Sequence, residues 1–161
     1  MKLYMKQKLF SLKQDFNIYD HNQTPLFRVS SKLFSVGRQL RIYDALTEEE
    51  LAYVKESPFR FLTQLKVYKG NDYVATIQQK MTLFKTKMAI QDIGWTIQGD
   101  FLGWNYVIKD EQNQTIAQVE AKILSWSDTF EITIDDTEVD PIIVLAIILA
   151  IDTIRDKQQS G

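Results

Sequence analysis

Asp140-Pro141-Ile142-Ile143-Val144-Leu145-Ala146-Ile147-Ile148-Leu149-Ala150-Ile151-Asp152 decides how the rest of the chain is read. However a helix is turned, Pro141 to Ile151 is apolar on every side, so the segment must be enclosed. Lipid cannot enclose it. At ~1.5 Å per residue it reaches roughly 16 Å, about half of a hydrocarbon core of ~30 Å. β-Branched isoleucine and valine favour strand, but length and flanks favour helix. The pattern continues through Ile154 to Lys157 with Ile147, Ile151 and Ile154 on one face, beyond the usual reach of a strand. Asp140 stands at the N-cap and Pro141 at the first helical position, where a missing N–H costs nothing. Asp136 and Glu138 before the helix and Arg155 and Lys157 near its end complement its dipole. Burial of roughly nine large aliphatic side chains corresponds to on the order of 15–25 kcal/mol of transfer free energy, an upper bound.

Composition narrows what surrounds this helix. The 161 residues carry 19 basic and 21 acidic side chains, a net charge of −2, and no cysteine. Disulfides and thiolate sites are thereby excluded, in keeping with a reducing compartment. Near-neutral charge lacks the basic excess of a general nucleic-acid binder. Lysines interrupt Met1-Lys2-Leu3-Tyr4-Met5-Lys6-Gln7-Lys8, so a signal-peptide centre and a transmembrane segment are not expected, and the expected location is cytoplasmic. No Pro/Gly/Ser-rich linker divides the chain. The expectation is a single domain over residues 1–157, with the helix at about 140–157 and residues 158–161 as a tail.

Before the helix, alternation of apolar and polar residues marks strands. It is visible at Phe16-x-Ile18, Leu40-x-Ile42, Phe59-x-Phe61, Leu65-x-Val67, around Val107, and at Phe130-x-Ile132-x-Ile134. Turn-forming residues at 20–23, 69–72, 98–100 and 109–114 separate these runs. Thr47-Glu48-Glu49-Glu50-Leu51 fits either a capping box opening a short helical turn or a lead into strand. Phe27-x-Val29-x-x-Lys32, Ala75-x-Ile77-x-x-Lys80 and Ala117-x-Val119-x-x-Lys122 share one pattern. Three copies of a hairpin unit would give about a dozen sequential antiparallel strands. The plainer reading is that all meanders resemble themselves.

An eight-stranded barrel is filled by its own side chains, so a helix about 10 Å across needs a wider can. The expected fold is mostly β: a closed antiparallel β-barrel of about twelve strands around a central buried hydrophobic C-terminal helix. A helix lying on an open curved sheet is the alternative, but it would leave one side of the helix wet, and this helix has no polar side.

Asp128-Thr129-Phe130-Glu131-Ile132-Thr133-Ile134, a short acidic loop and the apolar helix closing Leu149-Ala150-Ile151-Asp152 resemble the C-terminal signature of bacterial LURP-one-related proteins. Those proteins belong to the Tubby C-terminal-like superfamily, which also includes the phospholipid scramblases. The resemblance extends from Lys8-Leu9-Phe10-Ser11-Leu12 through the three repeats, and implies a twelve-stranded barrel around a C-terminal helix. Tubby domains bind phosphoinositides through basic side chains, and scramblases are linked to calcium and membranes. The partner it implies is therefore an anionic phospholipid or phosphoinositide, met peripherally at the inner membrane surface; a protein met at an exposed barrel edge or rim is the alternative partner.

An anionic headgroup needs converging cations, and the local cluster that supplies them is Lys80, Lys85 and Lys87, with Lys85 and Lys87 on one face of a continuous strand. Arg28, Lys32, Arg38 and Arg41 form a second group; ordinary solvated strand faces are the plainer reading of both. No position matches a Tubby phosphoinositide motif, so none is carried over. Asp128, Glu131, Asp135, Asp136, Glu138 and Asp140 could supply oxygens to calcium, but no glycine gives an EF-hand turn, and no metal or other cofactor is expected. His21, between Asp20 and Asn22, reads as a turn residue rather than a general base. Trp95, Trp104 and Trp126 read as packing. Asp152 is either buried at the barrel's end, needing a partner, or the point where the helix emerges. With no phosphate loop, nucleophile elbow or metal-ligand pair, no catalytic residue is expected, and the expected function is a non-enzymatic binding or scaffold module, either lipid-associated or a protein–protein adaptor.

Overall fold

The computed structural model describes residues 1–6, 15–58, 60–83, 86–124 and 127–160. Strands β1 (Lys2–Lys6), β2 (Phe16–Tyr19), β3 (Pro25–Phe34) and β4 (Gly37–Asp44) form a first group. They are followed by β5 (Glu50–Glu56), β6 (Gln64–Lys69), β7 (Asp72–Met81) and β8 (Thr86–Gln91). Then come β9 (Thr96–Asp100), β10 (Asn105–Lys109), β11 (Thr115–Leu124), β12 (Ser127–Ile134) and helix α1 (Pro141–Ser160). The three Lys-ended motifs fall on β3, β7 and β11, the third strand of each group of four, and each of these strands is 10 residues long. The repeat is therefore structural.

All the strands join one antiparallel sheet in the order β8-β7-β6-β5-β4-β3-β2-β1-β12-β11-β10-β9. First and last strands meet through β1 and β12, with Leu3 opposite Ile132 and Met5 opposite Phe130. The barrel is nearly rather than fully closed. β8 and β9 share no ladder among the described residues; residues 92–95 connect them, and Ile93 and Trp95 pack there, half-buried, against the core. Two of those four linking positions, Asp92 and Gly94, have positive φ, so the chain turns instead of running on as a ladder.

Alternate strand residues point inward. Val29, Ile42 and Ala52 form one inward row and Leu65, Ile77 and Ile90 another, and all six are buried. Against these rows lies α1, with Val144 to Ile151 and Ile154 buried on all sides. Asp140 caps the helix, its Oδ1 accepting the Ile142 N–H at 2.9 Å. Helical geometry continues through residues 158–160, where a tail was expected, since Gln158, Gln159 and Ser160 include neither glycine nor proline to stop it.

Two other expectations are corrected, and the open reading at 47–51 is resolved as a lead into strand. Phe61 is not in a strand; it projects from the β5–β6 link, and Phe59 lies outside the described residues. Gln98-Gly99-Asp100 is strand, and the turn follows at 101–104. Gly99 has φ +113°, and a Cβ there would stand 2.7 Å from the Asn105 carbonyl, so the glycine serves close strand approach. At 44–49 the chain makes no helix: the Asp44 carboxylate accepts the N–H groups of Leu46 and Thr47, closing a hairpin turn before β5.

Candidate functional site

Because the strands alternate up and down, every link after an odd-numbered strand lies at one end of the barrel and every link after an even-numbered strand at the other. α1 follows β12, so it starts at the even-link rim and emerges at the odd-link rim.

Lys80 and Lys87 are both exposed and stand directly opposite one another across β7 and β8, near the exit rim. Directly opposed side chains have Cβ atoms ~5 Å apart, and like charges at that spacing repel. Neither lysine forms an ion pair among the described residues. Lys85, the third member of the expected cluster, lies outside the described residues. The ladder adds a pair that sequence reading missed: exposed Lys55 and Lys66 oppose each other across β5 and β6. Acids are scarce on this wall. β6 and β8 contain none, β7 has only Asp72 at its first position, and β5 has Glu50, which pairs with Arg41, and Glu56, which is buried. The signal for the second pair was a lysine in each of two alternating strands, but only register shows that they meet.

The group of Arg28, Lys32, Arg38 and Arg41 is divided by the fold. Arg28 donates to Glu48 at 2.6 Å and lies 4.3 Å from the Tyr43 ring centre. Arg41 pairs with Glu50 at 2.8 Å and covers Tyr53. Exposed Lys32 shares a shallow pocket of about 210 Å³ with Ser30, Gln39 and Arg41. Arg38 instead turns inward and is buried.

The acids proposed for calcium are drawn to different tasks. Glu131 faces Lys2 at 3.5 Å. Asp136 holds the N-terminal ammonium at 2.9 Å, and this bond keeps its carboxyl below the usual range. Asp135 accepts from Thr137, and Asp140 caps α1 while pairing with Lys69. Burial would raise the Asp140 carboxyl, but Lys69 and the helix N–H groups outweigh it and hold it low. Exposed Glu138 lies in the same linker, and the Asp128 side chain is outside what is described. His21 is exposed in the β2–β3 turn, at the mouth of a cleft of about 500 Å³. Tyr4, Tyr19, Lys6, Lys122 and Glu131 also line that cleft, which therefore mixes both charge signs. Trp95 and Trp104 are packing residues, and Trp126 lies outside the described residues.

A buried polar cluster closes the exit end of the helix. Glu56 accepts the Arg38 backbone N–H at 2.9 Å and an ammonium proton of Lys157, while the Arg38 guanidinium lies 3.6 Å from Asp156. Arg155 covers Trp104 at 4.3 Å and donates to the Leu102 carbonyl at 2.9 Å. Asp152 is buried, with Arg155 3.8 Å away and Oδ1 lacking a hydrogen bond. Burial pushes its carboxyl well above the ordinary range, against the pull of Arg155 and Arg38. The emerging-helix reading of Asp152 is thus replaced by the buried one.

The architecture defines a class: a twelve-stranded antiparallel barrel, nearly closed, filled by one C-terminal helix. The chain belongs to the LURP-one-related family, whose model matches residues 1–152. It is similar to YxjI, an uncharacterized protein of Bacillus subtilis (strain 168), at 30% identity over 162 residues, covering 99% of this chain and 98% of that protein. An X-ray structure of an Arabidopsis thaliana protein has the same fold, with a TM-score of 0.64 at 16% identity over 95% of this chain and 91% of that one. Among the described residues no helix is long and apolar enough to cross a membrane.

Proposed function

We propose that this barrel is a non-enzymatic binding module that associates peripherally with anionic phospholipid at the inner, cytoplasmic face of a membrane. The observation that carries this reading is the opposed pair Lys80 and Lys87 on a wall almost free of acids. Two like charges held side by side cost energy in the free protein, and a headgroup phosphate between them removes that cost. Lys55 and Lys66 extend the positive wall. The non-enzymatic part is supported by how the polar residues are used: His21 sits in an exposed turn, and the acids at 135–140 hold chain ends and caps.

The test is co-sedimentation with liposomes, neutral against phosphatidylglycerol- or phosphoinositide-containing, at low and high salt. Binding is expected only with anionic lipid and is expected to weaken with salt. At about 1 kcal/mol per lysine, Lys80→Ala with Lys87→Ala weakens it roughly tenfold or more. A protein–protein adaptor with no lipid binding is the second reading, favoured by the outer edges of β8 and β9, which carry no ladder among the described residues and could accept a partner strand. Absence of sedimentation at any salt would leave that reading in place.

A further inference from the structure

The large apolar side chains left in water are unevenly placed. At the exit rim stand Leu33 and Phe34 from the β3–β4 hairpin, Phe61 from the β5–β6 link, Met81 and Leu83 from the β7–β8 hairpin, and Leu102 from the β9–β10 turn. Phe61 and Leu83 are 92% and 93% exposed. These side chains come from four separate links that the topology brings to one end, and they surround the point where α1 emerges. A cluster of exposed apolar groups of this size marks a surface that meets something apolar.

Charge at the same rim indicates what that is. Lys32, Arg60, Lys80 and Lys87 are exposed there. Three nearby acids are turned to internal use: Glu56 to Arg38 and Lys157, Asp156 to Arg38, and Asp152 beside Arg155. Among the described residues Asp100 and Asp15 are exposed there; Asp100 accepts the Gly103 N–H within its own turn, and Asp15 pairs with Arg28 at 3.3 Å. Apolar tips alongside exposed cations at one end of the barrel match the headgroup–acyl boundary of an anionic bilayer.

We propose that the exit rim is the membrane-facing end of the barrel, with Phe61, Leu83 and their apolar neighbours entering the headgroup–acyl boundary while Lys80, Lys87, Lys32 and Arg60 meet lipid phosphates. α1 then points along the membrane normal with its C-terminus toward the bilayer. This inference rests on the lipid reading above and adds to it an orientation and an apolar, salt-resistant component.

The chain has no cysteine, so single-cysteine probes report without background. Leu83→Cys and Leu46→Cys, each labelled with an environment-sensitive fluorophore, compare the exit rim with an equally exposed site on the opposite rim, Leu46 being 92% exposed. With phosphatidylglycerol vesicles containing brominated acyl chains, the probe at 83 is expected to shift to the blue and be quenched, while the probe at 46 stays in water. In parallel, Phe61→Ser with Leu83→Ser is expected to cut high-salt binding at least tenfold, with the thermal transition unchanged. If the protein sediments with anionic vesicles while both probes stay in water, or the probe at 46 enters instead, the inference is overturned and the lipid reading stands. Absence of sedimentation with any vesicle overturns both. A concentration-dependent blue shift at 83 without vesicles assigns the rim to a second copy of the chain and overturns the inference.

Discussion

The two ends of the barrel are built on opposite principles. At the rim where α1 starts, the turns are short and closed by their own carboxylates: Asp20 accepts from Asn22 and Thr24, Asp44 from Leu46 and Thr47, and Asp110 from Gln114. At the rim where α1 emerges, the links present apolar tips and cations to water, and a buried polar cluster lies around the helix end. The helix shows the same contrast in two aspartates. Asp140 is capped, paired and held low, whereas Asp152 is enclosed and pushed high. One rim satisfies its polar turn groups locally and leaves fewer large apolar side chains in water, Met1, Leu46 and Tyr73 among the described residues. The other leaves apolar surface that its own chain does not cover, and this is the physical basis for placing a partner there.

The contrast can be broken first at the helix that joins the two ends. Ile148 is fully buried, and Ile148→Asp would place a carboxyl inside the apolar core. The cost, on the order of 5 kcal/mol or more, is comparable with the ~5–15 kcal/mol margin of a typical domain. Loss of the cooperative melt by circular dichroism is the expected result; a soluble variant melting like the parent would refute the enclosed helix. Glu56→Ala strips the exit cluster of the carboxylate shared by Arg38 and Lys157. A loss of about 2–4 kcal/mol is expected, read as a lower urea midpoint at constant m-value.

Acid and base titration sharpens the comparison between the two aspartates. Asp140 is depressed when folded, so its stabilisation is present above its ordinary value of 3.8 and is lost as pH falls through that value and the lower folded one. Asp140→Ala should cost about 1 kcal/mol at neutral pH, and the gap to the parent should shrink in acid. Asp152 is raised when folded, so between 3.8 and its higher folded value the unfolded chain releases a proton that the folded one keeps. Relative to Asp152→Asn, the parent should lose stability as pH climbs from about 4, with no further change above the folded value. Denaturation curves over a pH series give both slopes, and slopes of the same sign would refute the assignment. The smallest effect is expected at the exposed tips: Phe61→Ser should shift stability by no more than ~0.5 kcal/mol, so that any change in vesicle binding belongs to the surface.

Much of the fold was legible because strict local patterns carried it. An all-apolar run with an aspartate cap can only be an enclosed helix, and the Lys-ended motif at 27, 75 and 117 located the third strand of each repeat. Local reading failed where a residue's conformation answers to another strand. Gly99 resembles a turn glycine but is required by the approach of β10. The alternation at Phe61 resembles a strand but has no partner strand to pair with. In the candidate site, Lys80 and Lys87 were visible as nearby lysines, while Lys55 and Lys66, eleven residues apart, were not.

By itself, then, the sequence determined that a C-terminal helix is enclosed by a many-stranded meander, because burial of apolar side chains and the two-residue strand period are properties of local order. Register, closure and the sorting of links between two rims were decided by the tertiary structure. Each depends on which strand lies opposite which, and that pairing brings Lys80 against Lys87, gathers Phe61, Leu83 and Leu33 at one end, and carries Asp152 beneath them.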